Sequence, residues 1–250
     1  TSLGDTKQSV TRLIGENSWR VNNMQLENYL WASKGFFTPE EVKEIHLHAS
    51  MIPIEEGSTG FVQTDPDSPE AHQPPSPSEE IRSSKIKWFN PNIGFGLPEP
   101  IVLRIWDAFM EANVVSNWNH KLEFLENMQY TIYEHTPSKS RSDFYTWHTD
   151  HGGKTNPDGM HRKLSMSIQL SEPDEYEGGL FQWLEPNRQF DRIKKGEPFS
   201  YDEAIRTVPE SIKTSGSVIV FPSFVHHQVT PVVQGTRISM VVWANGYPYV

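Results

Sequence analysis

The stretch GSVIVFPSFVHHQVTPVVQGTRISMVVWA, residues 216–244, contains three β-prone runs separated by proline, glycine and polar turn residues. The runs extend from Gly216 to Phe221, from His226 to Val232 and from Arg237 to Ala244. Short runs of this kind at close spacing are typical of antiparallel sandwiches and barrels. The stretch therefore predicts part of an antiparallel sandwich or jelly roll.

Four similar runs precede this stretch: Met128 to Glu134, Asp143 to Thr149, Lys163 to Leu170 and Gly179 to Leu184. Seven short strands with irregular turns predict an antiparallel sandwich or jelly roll. A Gly178-Gly179 pair between two runs permits a tight turn or positive backbone angles. The polar segment 185–215 is predicted to be an insertion with a short helix near residues 202–205.

The first half of the chain carries helix signals. Thr38-Pro39-Glu40-Glu41 combines a threonine N-cap, proline at the first helical position and a glutamate that completes a capping box. Pro98-Glu99-Pro100 opens a second helix with a broad apolar face. Five prolines in segment 64–84 predict a mobile loop, which is either an inert linker or a lid. We expect one domain over residues 1–250, with an N-terminal arm, helices and this loop in 1–125 and a β core in 126–250.

Composition narrows the functional classes. With 22 Lys+Arg against 32 Asp+Glu, the formal net charge is −10, which disfavours nucleic acids and anionic membranes as partners. The chain has no cysteine, so disulfides, thiolate nucleophiles and zinc–thiolate sites are excluded. No apolar run is long enough to cross a membrane and no secretion signal is evident, so we expect a cytoplasmic protein.

A metal site is predicted around His148 and Asp150. Residues two apart on a strand turn their side chains to the same face, although a lone His-x-Asp pair is weak evidence. Gly152-Gly153 follow at once and let the backbone turn away. A downstream histidine, His226 or His227, supplies a third ligand, and alternation alone does not distinguish the two. Two imidazoles and one carboxylate with open positions suit non-haem Fe(II).

An anion clamp is predicted at Arg237, ten residues beyond His227 and on the next antiparallel strand. The planar guanidinium donates two parallel hydrogen bonds to one carboxylate. Ser239 shares its face by alternation and adds a hydroxyl donor. Because the strand continues in an apolar register, an inward-facing arginine requires a bound anion, whereas an outward-facing one would form a surface ion pair.

The order of these motifs resembles that of the iron(II)- and 2-oxoglutarate-dependent dioxygenases, in particular the prolyl 4-hydroxylase-like group with its PKHD-type members. The resemblance covers about residues 128–243, and residues 36–41 also resemble the helix that opens this family's domain. It is carried by these segments: MQYTIY (128–133), HTD (148–150), LSMSIQLSEPDEYEGGL (164–180), GSVIVFPS (216–223), HQVTPV (227–232) and GTRIS (235–239).

The resemblance implies a mainly β protein with flanking helices: a double-stranded β-helix core, also called a jelly roll or cupin-like fold, with N-terminal helices packed outside. It selects His227 over His226, so that His148, Asp150 and His227 bind Fe(II). It further implies that Arg237 holds the distal carboxylate of 2-oxoglutarate and that Tyr133 contacts this co-substrate. With those roles assigned, the implied reaction needs no side chain to act as a general acid or base.

The motifs also bear on the roles of three further positions. Gln169 stands where the family often has an aromatic residue, which leaves its contact with 2-oxoglutarate open, although an amide can still donate a hydrogen bond. Strand alternation turns Tyr145 away from His148 and favours core packing, with a place beside the substrate pocket as the alternative. Trp243 matches a tryptophan that is frequent on the last core strand of the family, and a place at the border of the pocket is expected for it.

The function implied by the resemblance is oxidative hydroxylation of an amino-acid side chain, with O2 as oxidant, succinate as product and ascorbate as an accessory reductant. Prolyl 4-hydroxylation of a protein or peptide is the leading expectation. A free amino-acid hydroxylase with the same core is the alternative within the class. A non-catalytic jelly-roll module that binds a metal or another ligand is the alternative outside it.

Overall fold

The computed structural model describes residues 23–25, 29–57, 81–91, 96–137, 142–151, 159–185, 193–198 and 200–248. Most of the predicted arm, the proline-rich part of the predicted loop and Gly152-Gly153 lie outside these residues. The strands, numbered in chain order, are β1 (Asn23–Gln25), β2 (Trp31–Ser33), β3 (Glu55–Glu56), β4 (Arg82–Ser83), β5 (Lys85–Phe89), β6 (Phe124–Leu125), β7 (Met128–Glu134), β8 (Phe144–His148), β9 (His161–Gln169), β10 (Tyr176–Gly178), β11 (Phe181–Leu184), β12 (Ile205–Thr207), β13 (Val218–Pro222), β14 (His227–Val229) and β15 (Val232–Gly246).

Within the described part of the chain these strands form two antiparallel sheets. The larger has the order β1-β2-β13-β9-β15-β7-β5-β3, and β6 and β10 also pair with β15. The smaller has the order β12-β11-β14-β8-β4. All pairings are antiparallel, so the predicted mainly β class is confirmed.

Helix α1 (Pro39–Ser50) begins as its capping box predicts. The Glu41 backbone N–H donates to Thr38 Oγ1 at 3.2 Å, and the Thr38 N–H donates to Glu41 Oε2 at 2.8 Å. These reciprocal bonds satisfy two donors that would otherwise lack partners at the helix start.

Helix α2 (Glu99–Val115) also begins where predicted and buries an apolar face. That face includes Ile101, Ile105, Ala108, Phe109 and Ala112, all at most 1% exposed. It belongs to one buried cluster with apolar side chains of the larger sheet, among them Met166, Val220 and Met240. Removing this much apolar surface from water stabilises the packing of helix on sheet, at roughly 25 cal/mol per Å², and leaves the opposite side of the sheet free to line a site.

Several segment boundaries differ from the predictions. Arg82 and Ser83, in the predicted loop, form strand β4 and pair with β8. The Arg82 side chain is buried against Tyr145 of β8, which holds this strand in place. The run from Gly179 to Leu184 begins as a strand only at Phe181, since Gly178 and Gly179 have φ of 76° and 56°. The predicted insertion contains the expected helical turn, α3 (Tyr201–Ala204), and a strand, β12, that was not predicted.

Candidate active site

Two neighbouring strands of the smaller sheet carry the predicted histidines. β8 ends at His148 and β14 begins at His227, and these two residues are directly paired. Asp150 lies just beyond β8, where its backbone N–H donates to the carbonyl of Ser223 at 2.9 Å. The three side chains therefore converge although they come from distant parts of the chain.

The three side chains form the one group of at least three metal-ligand residues in the described residues whose ligand atoms lie within 4.8 Å of one another. His148 Nε2 is 3.7 Å from Asp150 Oδ1, and His227 Nε2 is 3.6 Å from Asp150 Oδ2. His226, the other candidate of the sequence, is exposed. The geometry thus brings together the set that the resemblance selected.

Backbone carbonyls orient both imidazoles. His148 Nδ1 lies 2.7 Å from the carbonyl oxygen of Thr146, and His227 Nδ1 lies 2.9 Å from that of Val225. A carbonyl only accepts, so each Nδ1 carries a proton, and Nε2, which lies near Asp150, is the ring nitrogen available to a metal. This arrangement fixes the tautomer that a metal-binding histidine needs.

The electrostatics favour a neutral His148 imidazole and an ionised Asp150 carboxylate. Burial, followed by the proximity of His227, lowers the pKa of His148 to about 3. Burial acts to raise the pKa of Asp150, but His227 and His148 outweigh it and hold that pKa below its usual value. Asp150 Oδ2 is buried without a hydrogen-bond partner among the described residues. A buried carboxylate oxygen in this state fits a cation between the three side chains.

Arg237 lies on β15 and is 3% exposed. Its Nη1 donates to Ser239 Oγ and its Nη2 to Gln169 Oε1, both at 3.1 Å, and its guanidinium carbon is 5.6 Å from the Tyr133 ring centroid. No described Asp or Glu forms an ion pair with it. The predicted inward arginine is therefore present, held by neutral partners.

The glycine pair explains how this arginine fits. A Cβ at Gly179 would lie 2.7 Å from Arg237 Cδ, closer than real contacts allow. A Cβ at Gly178 would lie 2.2 Å from the carbonyl oxygen of Pro231. The pair therefore provides the positive φ values expected and also makes room for the clamp.

A cavity of about 320 Å³ joins the His-Asp-His group to Arg237. Its wall includes Tyr133, Ser239 and the Trp243 that the sequence placed at its border. Gln169 is not among the residues that line this cavity. Its amide oxygen accepts from Arg237, and its amide nitrogen donates to Tyr176 Oη at 2.9 Å. Gln169 therefore supports the arginine, and its contact with 2-oxoglutarate stays an open prediction.

Tyr145 also lines the cavity, and the alternation argument that turned it away from His148 is wrong. Its ring stacks on the His148 ring with centroids 3.5 Å apart and planes inclined by 13°. The register explains this: His227 pairs with His148 but Val229 pairs with Tyr145, so β8 has one residue more than β14. Such a bulge reverses the facing of the residues beyond it.

Two further arginines in the cavity wall, Arg82 and Arg162, were not predicted. Arg162 donates to both carboxylate oxygens of Glu126 and lies 3.9 Å over the Trp243 ring. Arg82 lies in the segment interpreted as a loop, and its sequence surroundings are polar, so no pattern indicated burial. The apolar wall is completed by Phe181, Phe221, Val229 and Val241. Phe221 and Val229 lie within the matching segments, and Phe181 and Val241 lie shortly after two others.

Comparison with known families identifies this combination of sheets and side chains. The profile of the 2OG-Fe(II) oxygenase superfamily matches residues 128–245, the segment that carries His148, Asp150, His227 and Arg237. This part of the chain is therefore similar to the oxygenases of that superfamily, and the His-Asp-His group is the candidate iron site that this similarity implies.

Among curated proteins, the chain is similar to PKHD-type hydroxylases. It is 34% identical over 101 residues to one from Shewanella baltica (strain OS155), a match covering 40% of this chain and 36% of the relative. It is 29% identical over 148 residues to one from Shewanella sp. (strain MR-7), covering 58% and 55%. The matched regions therefore span less than two thirds of these relatives.

Solved structures confirm the jelly-roll core. A prolyl-4-hydroxylase from Pseudomonas putida has a TM-score of 0.51 at 18% identity, covering 88% of this chain and 93% of its own. A Trichoplax adhaerens prolyl hydroxylase, in complex with a hypoxia inducible factor peptide fragment, has a TM-score of 0.55 at 15% identity, covering 87% and 83%. None of the helices in the described segments has the length and apolar character needed to cross a membrane.

Proposed function

We propose that the protein is an Fe(II)- and 2-oxoglutarate-dependent dioxygenase that hydroxylates an amino-acid side chain, with prolyl 4-hydroxylation of a protein or peptide as the leading reaction. The observation that carries the proposal is one cavity with two opposite features: a His-Asp-His group in which Asp150 and His227 are buried and, facing the same space, a buried arginine without a carboxylate partner in the described residues. We also propose that residues 1–250 contain a single domain.

In this proposal His148, Asp150 and His227 hold the iron. Both Nδ1 atoms donate to backbone carbonyls, so the Nε2 atoms are the ones available as ligands, and the lowered pKa of Asp150 favours an ionised carboxylate. This donor set fits a divalent cation with positions left open. When bound together, Fe(II), 2-oxoglutarate and O2 supply an oxidant for unactivated C–H bonds, with succinate and carbon dioxide as by-products.

The remaining cavity residues position 2-oxoglutarate and shield the metal group from water. Arg237 binds the distal carboxylate of 2-oxoglutarate through its guanidinium fork, and Ser239 and Gln169 hold that guanidinium in place. Tyr133 lies beside Arg237, and burial raises its pKa, so it remains a neutral hydrogen-bond donor. Phe181 and Phe221 pack on the His227 ring, with centroids 5.4 and 4.7 Å away, and keep water from that side of the metal group.

The test is succinate formation. The protein is incubated with Fe(II), ascorbate and 2-oxoglutarate, with either a proline-containing peptide or free L-proline, and the product is examined for the mass of one added oxygen. We expect succinate and a hydroxylated product. Peptide turnover without free-proline turnover supports the leading reaction, and the opposite result supports a free amino-acid hydroxylase. Wild-type protein that does not bind 2-oxoglutarate contradicts the whole proposal.

A further inference from the structure

We propose that Arg82 binds a carboxylate of the primary substrate, so that the cavity selects a substrate with an acidic group close to the carbon that is oxidised. This inference rests on the proposed function, because it assigns Arg237 to 2-oxoglutarate and Arg82 to the second molecule. It narrows the substrate class from any prolyl or amino-acid side chain to an acidic one.

Arg82 is a buried cation with neutral partners. It is 5% exposed. Its Nε donates to Ser84 Oγ at 2.8 Å and its Nη2 donates to Gln129 Oε1 at 2.7 Å. No carboxylate in the described segments forms an ion pair with it. A buried charge without a counter-ion is unfavourable, and a bound anion relieves the cost.

The charges of the cavity wall leave room for one more anion. Its described residues include three arginines, Arg82, Arg162 and Arg237, and a single carboxylate, that of Asp150. Arg162 is compensated by Glu126, whose carboxylate accepts from Nε and, at 2.6 Å, from Nη2. A divalent metal ion, Asp150, Arg237 and a doubly charged 2-oxoglutarate sum to zero. The positive charge of Arg82 then remains for the substrate.

The position of Arg82 sets the size of the acidic unit. Its guanidinium carbon lies 4.8 Å from the Tyr145 ring centroid, and the same ring stacks on His148 at 3.5 Å. A single side chain therefore links the anchor to a candidate iron ligand. A carboxylate on Arg82 and a C–H bond near the metal can belong to one amino acid, or to two adjacent residues of a peptide.

The rest of the wall suits an apolar ring or chain. Trp88 and Trp243 line the cavity with ring centroids 6.3 Å apart, and Trp88 is 37% exposed at its border. Flat aromatic faces pack against aliphatic rings without forming specific hydrogen bonds. The combination of one buried cation and two indoles fits a compact acid with an apolar body.

The carboxylate can come from three sources, which acid and amide pairs separate. We would compare L-proline with L-prolinamide, N-acetyl-Ala-Pro with its C-terminal amide, and an N-acetylated Pro-Asp peptide amide with its Pro-Asn counterpart. Binding to the protein loaded with Mn(II) and 2-oxoglutarate is measured by calorimetry, which does not depend on turnover. We expect at least one acid to bind about tenfold more tightly than its amide.

Variants assign that preference to Arg82. Arg82→Gln should reduce the acid-to-amide ratio to about one, and Arg82→Lys should restore part of it because it retains the charge but not the planar fork. Lys85→Gln is the matched control, since it removes one positive charge three residues away on a half-exposed side chain paired with Glu134, outside the cavity wall. It should keep the wild-type ratio.

Failure of the Arg82 inference can be distinguished from failure of the proposed dioxygenase function. Binding of 2-oxoglutarate in the presence of Mn(II) is measured first on wild type and on Arg82→Gln, where unchanged affinity also shows that the variant folds. If wild type binds 2-oxoglutarate but no acid binds better than its amide, or the ratio persists in Arg82→Gln, this inference is overturned and the dioxygenase proposal stands. Loss of 2-oxoglutarate binding by wild type overturns both.

Discussion

The two ends of the cavity are built in different ways. The metal end uses the tips of short strands: His148 closes β8, His227 opens β14, and Asp150 lies beyond any strand. The anion end lies within β15, a strand of 15 residues in which Arg237 pairs with Tyr133 of β7 and Ser239 pairs with Gln169 of β9. A continuous ladder holds the clamp, whereas the metal group depends on a bulge, backbone carbonyls and a neighbouring ring.

The largest effect should come from removing a ligand at the metal end. His227→Ala should weaken Mn(II) binding by more than about 100-fold, the upper range for loss of a mere supporting partner, because it removes one of three donors. His226→Ala is the matched control, since His226 directly precedes His227 in the chain and its side chain is exposed. Calorimetric titration with Mn(II) separates them, and equal affinities in the two variants would remove His227 from the site.

The next effect should come from the anion end and leave the metal end intact. Arg237→Ala should weaken 2-oxoglutarate binding by roughly 100-fold, about 3 kcal/mol, as expected when one member of a buried charge pair is removed. Its Mn(II) affinity should stay at the wild-type value because Arg237 is not among the metal-ligand group. The 2-oxoglutarate affinity of Arg237→Lys should lie between those of wild type and Arg237→Ala, since lysine keeps the charge without the planar guanidinium.

Much of this contrast is predictable from sequence. The prediction of the β core and of helices α1 and α2 succeeded because period-two runs, a capping box and proline placement act locally. The residues of both ends also follow from motif order, although the choice of His227 over His226 needed the family resemblance. Strand alternation alone left it open.

What the sequence did not predict depends on contacts between distant segments. The bulge in β8 that turns Tyr145 toward His148 is a mismatch between two strands about 80 positions apart. The burial of Arg82 likewise depends on Gln129 and Tyr145, which lie far along the chain. Local composition placed Arg82 in a proline-rich polar segment, so it was interpreted as loop.

The bulge gives a third, smaller effect at the metal end. Tyr145→Leu removes the ring that stacks on His148 and should lower Mn(II) affinity by up to about tenfold, since such ring pairs contribute roughly 0.5–1.5 kcal/mol. Tyr145→Phe keeps the ring and should bind Mn(II) like wild type. Affinity that falls equally in both variants would indicate that the hydroxyl, and not the stack, supports His148.

The smallest effect tests whether the clamp needs its neutral supports. Gln169→Leu removes one acceptor of the Arg237 guanidinium and should weaken 2-oxoglutarate binding by about fivefold, near the 1 kcal/mol of a typical hydrogen bond. Gln169→Glu should weaken it further, because an internal carboxylate then competes for the arginine. Gln182→Leu, a half-buried amide bonded to Thr207 outside the cavity, should have no effect. Mn(II) affinity should be unchanged in all three, since neither Gln169 nor Gln182 belongs to the metal-ligand group. A parallel loss of Mn(II) and 2-oxoglutarate affinity in Gln169→Leu would instead mean that the two ends are coupled through the sheet.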